Sequence, residues 1–213
     1  MASFKNADAG MIVDQLIKVI QEQRNYLSEI DGQIGDGDHG INMNKGFTMC
    51  EEKLSGKTYN LSEALSILGE TLLDDIGGSM GPLYGMLFDE MAMACEDADD
   101  IDAEVFGEML TNAVEGIQEI SPAKVGDKSL IDTLVPAKEA FVTAKEEGKE
   151  FVQCLEAMNE AAEKGWQSTK DLVAKIGRAS RLGERSRGVL DAGATSCYFI
   201  VTGIGKAAIG LLK

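Results

Sequence analysis

A chain of 213 residues with 44% apolar side chains is long enough to bury a sizeable core. Its net charge of −16, from 36 acidic and 20 basic residues, argues against nucleic acid or an anionic membrane as a main partner. Cys50, Cys95, Cys154 and Cys197 lie far apart with no C-x-x-C pair, which predicts reduced thiols and neither a disulfide framework nor a zinc site.

The opening MASFKNADAG has no basic-then-apolar signal pattern, so a cytoplasmic protein is expected, with residues 1–213 as a single domain. The hydrophobic spacing is helical nearly throughout. Met11, Ile12, Leu16, Val19, Ile20 and Leu27 mark a first helix over about 8–28. A second covers about 40–54, a third about 62–76 with Ser62 as N-cap, and a fourth about 82–96. Val105, Phe106, Met109, Leu110, Val114 and Ile117 mark a fifth. The sixth covers about 129–146 with a kink at Pro136, the seventh about 150–175, and the last about 193–212. The apolar run Ala192 to Leu212 is broken by Lys206 and glycines, and reads as a buried helix instead of a membrane span. No strand alternation is evident, so the fold class is all-α: eight helices in an antiparallel up-and-down barrel or bundle.

In such an array, alternate loops share an end. The odd loops read DGQIGDGDHG, GGSMGPLYG, SPAKVGDKS and GRASRLGERSRGVLDAGATS. The even loops, SGKTYN, EDADDID and EEGKE, are ordinary solvated turns. The unusual chemistry therefore converges on one rim.

IGDGDHG, residues 34–40, spells G-x-G-x-x-G but follows a helix, where a dinucleotide fingerprint needs a preceding strand. A calcium loop started at Asp36 would need Gly at Ile41 and Glu at Phe47. Carboxylates beside a phosphate make sense with a cation between them, and Asp31, Asp36 and Asp38 can converge on Mg²⁺ with the N-terminus of the second helix behind. Asp-Gly pairs also form plain turns and Asx caps, and His39 can equally be a packed helix-start residue. Lys164, Lys170, Lys175, Arg178, Arg181, Arg185 and Arg187 form a basic stretch near the same rim, as an anion site, a partner-docking surface or a solvated face. Met86, Met91 and Met93 read as packing residues.

GDGDHGINMNKGF, GGSMGPLYG, and GRASRLGERS followed by DAGATS resemble the nucleotide-binding L subunit of dihydroxyacetone kinases, in order and over essentially the full chain. The chain departs from the usual family pattern in GGSMG, in DAGATS and at the start of its fifth loop. The resemblance implies an eight-helix barrel with ADP or ATP at one rim, held through two Mg²⁺ ions on Asp31, Asp36 and Asp38. It implies that His39, Gly40, Ile41, Asn42, Ser79, Met80, Leu130, Arg178, Asp191, Ala192 and Gly193 line the nucleotide site. It also implies a separate K subunit that carries the ketone covalently. A phosphohistidine M subunit recharges the ADP in one branch of the family and free ATP is the donor in the other; a homodimer is left open. The function so implied is transfer of a phosphoryl group to dihydroxyacetone or a related ketose, with activity only beside the K subunit. The alternative is a nucleotide-sensing regulatory module of the same fold.

Overall fold

The structure, a computed structural model, describes residues 2–213. Among these residues the chain forms eight α-helices: α1 (Met11–Ile34), α2 (His39–Leu54), α3 (Leu61–Asp75), α4 (Met80–Cys95), α5 (Ala103–Ile120), α6 (Ile131–Glu146), α7 (Phe151–Ser168) and α8 (Ala192–Leu211). Each packs on the next and α8 closes back on α1, which makes the expected all-α up-and-down ring. Its interior is apolar, with Leu87, Met91, Phe106, Leu134, Met158 and Ile200 facing one another across it. Among the described residues α8 alone is long and apolar enough to cross a membrane, and 61% of that stretch is buried within the ring.

Several boundaries differ from the sequence expectation, each for a local reason. α1 runs to Ile34 because Ile30 and Ile34 continue its buried face past Leu27, so Asp31 lies on a helix. α3 is capped by Asn60 in place of Ser62. The Asn60 Oδ1 accepts from the Glu63 amide at 2.8 Å and Glu63 Oε2 accepts from the Asn60 amide at 2.9 Å, a reciprocal capping box. α7 stops at Ser168, where Ser168 and Thr169 hydroxyls donate back to the carbonyls of Gly165 and Trp166 and tighten the chain into a 3₁₀ turn, Thr169–Asp171. Pro136 stays inside α6. A proline lacks the amide that would bond the Asp132 carbonyl, and α7 comes so close there that a Cβ on Gly165 would lie 2.1 Å from that oxygen.

A two-stranded antiparallel sheet was not expected: β1 (Ser3–Lys5) pairs with β2 (Asp100–Asp102). Three residues are too few for alternation to be read in sequence. β1 crosses the end of the ring where the even loops lie. Phe4 stacks on Phe151 at the start of α7, with ring centroids 6.2 Å apart. The buried Asn6 amide donates to the carbonyls of Cys95 and Ala98, and its oxygen accepts from the Ser62 amide. That end is thereby sealed, and the odd loops are left at the other.

Replacing Asn60 by Ala removes the side-chain half of the α3 capping box, the acceptor of the Glu63 amide, and leaves the backbone amide that donates to Glu63 in place, a cost of about 1 kcal/mol. The expected outcome in a circular-dichroism melt is a Tm lower by about 2–4 °C. Ser62→Ala leaves both box hydrogen bonds in place and should shift the Tm by less than half as much.

Candidate functional site

Asp31 lies in the last turn of α1, Asp36 in the short loop that follows, and Asp38 at the N-cap of α2. One carboxylate oxygen of each falls within 4.8 Å of the others. Gly37, with φ +78°, lets the loop double back in a conformation that L side chains rarely adopt. The His39 amide donates to Asp31 Oδ2 at 3.3 Å, and Asp38 makes no side-chain capping bond, so its carboxylate faces the cluster free. Arg178 pairs with Asp36 across from the seventh loop. α2 meets α1 at Gly40, where a Cβ would lie 2.0 Å from the Arg24 carbonyl oxygen. Hard oxygen donors clustered around a shared point suit Mg²⁺.

His39 Nε2 sits 2.8 Å from Ser196 Oγ on α8. Ser196 Oγ is in turn 2.6 Å from the Tyr84 hydroxyl, which donates to the Gly193 carbonyl at 2.9 Å. Burial pushes the His39 pKa down to about 4, so near neutral pH the imidazole is an uncharged hydrogen-bonding group. Asp191 caps α8 through the Ala194 amide at 2.7 Å. Burial pushes its carboxyl up to about 7 against the opposing effect of that hydrogen bond. The start of α8 faces the start of α6: a Cβ on Gly193 would lie 3.5 Å from the Leu130 amide nitrogen.

The rim therefore brings together Asp31, Asp36, Asp38, His39, Gly40 and Arg178 on one side, and Leu130 with Asp191, Ala192 and Gly193 on the other. Ala192 and Leu130 are buried. Ile41 is 49% exposed and Asn42 half-buried on the first turns of α2. Ser79 is exposed at the N-cap of α4 without a side-chain capping bond, and Met80 packs on the core a turn before Tyr84. Sequence reasoning missed Tyr84, Ser196, Asp132 and Lys128. Tyr84 and Ser196 sit within motifs already singled out, GGSMGPLYG and DAGATS, and that nearness was the available signal. Asp132 accepts from the amides of Gly126 and Ser129 and shapes the fifth loop. Lys128 is buried and bonds only backbone carbonyls. A cleft of about 550 Å³ lies at the far end, between α3 and α4, lined by Tyr59, Glu63, Glu70, Asp89 and Glu96.

The DAK2 domain model matches residues 33–206. The chain belongs to the DAK2-domain family. Among DAK2-domain relatives it is 37% identical over 191 residues to the PEP-dependent dihydroxyacetone kinase, ADP-binding subunit DhaL, of Escherichia coli, covering 89% of this chain and 91% of that one. It is 36% identical over 182 residues to the PTS-dependent counterpart of Lactococcus lactis, covering 85% and 86%. A crystal structure of the dihydroxyacetone kinase from C. freundii in complex with AMP-PNP and Mg²⁺ superimposes with a TM-score of 0.68 at 21% identity. That match covers 94% of this chain and 34% of that longer one, and it shows a shared fold.

Gly40→Ala should drive a methyl group into the Arg24 carbonyl and push α2 from α1, with an overpacking cost of about 1–3 kcal/mol. The expected result is a lower Tm together with weaker protection of the residue 35–42 amides in hydrogen exchange. A variant with wild-type Tm and wild-type exchange would show that the contact is slack.

Proposed function

We propose that this chain is the nucleotide-binding, phosphoryl-transferring subunit of a ketose kinase of the dihydroxyacetone kinase type. The observation that carries the reading is the convergence of Asp31, Asp36 and Asp38 within 4.8 Å, in a chain that resembles ADP-binding subunits over nine tenths of its length. In this reading ADP or ATP sits across the odd-loop rim. The three aspartates would hold Mg²⁺, two ions by family resemblance, which would supply charge neutralisation for the phosphates. Arg178, exchanging Asp36 for a phosphate oxygen, adds positive potential, and the N-terminal amides of α2 add more. Leu130 offers an apolar contact to the base, and Asp191 to Gly193 close the pocket opposite His39. The neutral His39 orients by hydrogen bonding and carries no charge to the phosphates.

In this reading a separate K subunit, implied by the family resemblance, holds the ketone and activates its hydroxyl. The PEP- and PTS-dependent names of the relatives favour a phosphohistidine M subunit as donor over free ATP. A cytoplasmic setting suits such an assembly.

Protein stripped of nucleotide should melt about 5–11 °C higher with ADP and Mg²⁺ at a hundredfold excess over Kd. ADP with EDTA should give little. Asp36→Asn or Asp38→Asn should abolish the shift while far-UV circular dichroism stays helical. Equal Tm values in all conditions would replace this reading with a plain Asp-Gly turn.

The chain alone, with ATP and dihydroxyacetone, should form no ketone phosphate. Addition of a cognate K subunit and a phosphoryl donor should start its formation. Retained ADP binding without any such transfer would point to a nucleotide-sensing module instead.

A further inference from the structure

The seventh loop, between the 3₁₀ turn Thr169–Asp171 and α8, carries a second 3₁₀ segment, Arg178–Ser186, and turns at Gly177, Gly183 and Gly188, all with positive φ. Ordering so long a loop is entropically costly. At its root lies Lys128, 1% exposed. Its ammonium donates toward the carbonyls of Thr169 at 2.8 Å and Leu172 at 3.2 Å on the outgoing leg. It also donates toward those of Ser186 at 2.7 Å and Val189 at 2.6 Å on the returning leg. Lys128 has φ +66°, and among the described residues no other non-glycine residue has positive φ. A strained backbone conformation persists only where its surroundings enforce it.

An ammonium has three protons, and here four carbonyls converge on it. Neutral carbonyl oxygens around one positive centre are how proteins hold a dehydrated monovalent cation. Other bonds tie the loop in pairs: the Gly188 amide to the Lys170 carbonyl, the Ala174 amide to Ser186 Oγ, and the Lys175 amide to the Asp127 carbonyl. Apart from Lys128, the fifth loop is reached by the Lys175 amide and by the Lys175 ammonium, which pairs with Asp127 Oδ1 at 3.0 Å, and both hold the outgoing leg alone.

We propose that Lys128 acts as a built-in monovalent cation, a positioning residue that gathers both legs of the seventh loop onto the fifth and so sets the nucleotide cleft before any ligand arrives. The cleft's use for nucleotide rests on the function proposed above. Leu130 lies two residues beyond Lys128, Asp191 two residues beyond Val189, and Arg178 on the arc between the legs. The ammonium thus fixes the base side of the rim relative to the phosphate side without touching either.

The test uses the full chain stripped of nucleotide, as wild type and Lys128→Ala, in sodium, potassium and ammonium chloride at equal ionic strength. In sodium, Lys128→Ala should lose about tenfold to a hundredfold in ADP–Mg²⁺ affinity by calorimetry. Amide exchange over residues 170–190 should accelerate without ligand, while that of α3 to α5 stays unchanged. Potassium and ammonium, close in size to the lost head group, should restore both properties. Sodium should not. Unchanged exchange in Lys128→Ala, or equal loss in all three salts, would overturn the proposal. Should Lys128→Ala fail to fold, Lys128→Arg carries the test: its planar guanidinium cannot serve four carbonyls that converge on a point, so wild-type exchange and affinity in that variant would also overturn it. Wild-type protein that binds no ADP–Mg²⁺ would sink the nucleotide reading, whereas the ligand-free exchange comparison decides the role of Lys128 by itself.

Discussion

Packing of α8 against α1 turns a row of helices into a ring, and the rim that carries the candidate site exists because of it. The two helices stand at opposite ends of the chain, so this contact brings the seventh loop to the first. The approach is close: a Cβ on Gly203 would lie 2.8 Å from Leu16 Cδ2, and Tyr26 meets Phe199 with ring centroids 6.3 Å apart. At the rim the same closure sets His39 against Ser196 and Arg178 against Asp36. Were α8 to swing outward, each of those pairs would separate, and the aspartate cluster would lose both its cationic neighbour and its far wall.

The rim concentrates like charge, which by itself opposes folding. Two carboxylates about 4 Å apart repel by roughly 1 kcal/mol in water and by more as the local dielectric falls. The fold answers with two cations of opposite design. Arg178 has one partner and a side chain 64% exposed, so it can trade Asp36 for another anion without leaving solvent. Lys128 is buried among four carbonyls and has no comparable alternative. Exchangeable charge stands where a ligand would arrive, and fixed charge stands behind it. The opposite end of the ring is built for closure, with β1, Phe4 and Asn6 tying the even loops together through apolar stacking and backbone hydrogen bonds.

Much of this was legible in the sequence. Eight amphipathic helices, their order, and the sharing of one rim by the odd loops follow from hydrophobic spacing and loop composition, which are local properties. The nearness of Asp31, Asp36 and Asp38 was equally local, since they fall within eight residues whose three glycines let the chain fold tightly. Two boundaries fall elsewhere through local competition: Ile30 and Ile34 keep the buried face of α1 running past residue 28, and Glu63, three residues after Asn60, makes Asn60 and not Ser62 the cap of α3.

Tertiary structure alone decided the rest. Nothing in SPAKVGDKS distinguishes Lys128 from a solvated lysine, because its partners are backbone carbonyls some forty to sixty residues away, and a carbonyl has no sequence signature. The pairing of His39 with Ser196, and of Tyr84 with Gly193, likewise depends on where α8 seats in the ring. The sequence by itself determined which helices form and which loops share an end, since periodicity and alternation act over neighbouring residues. Which side chains meet across that end was settled by the closing of the ring, since only then are distant polar groups buried together and obliged to satisfy one another.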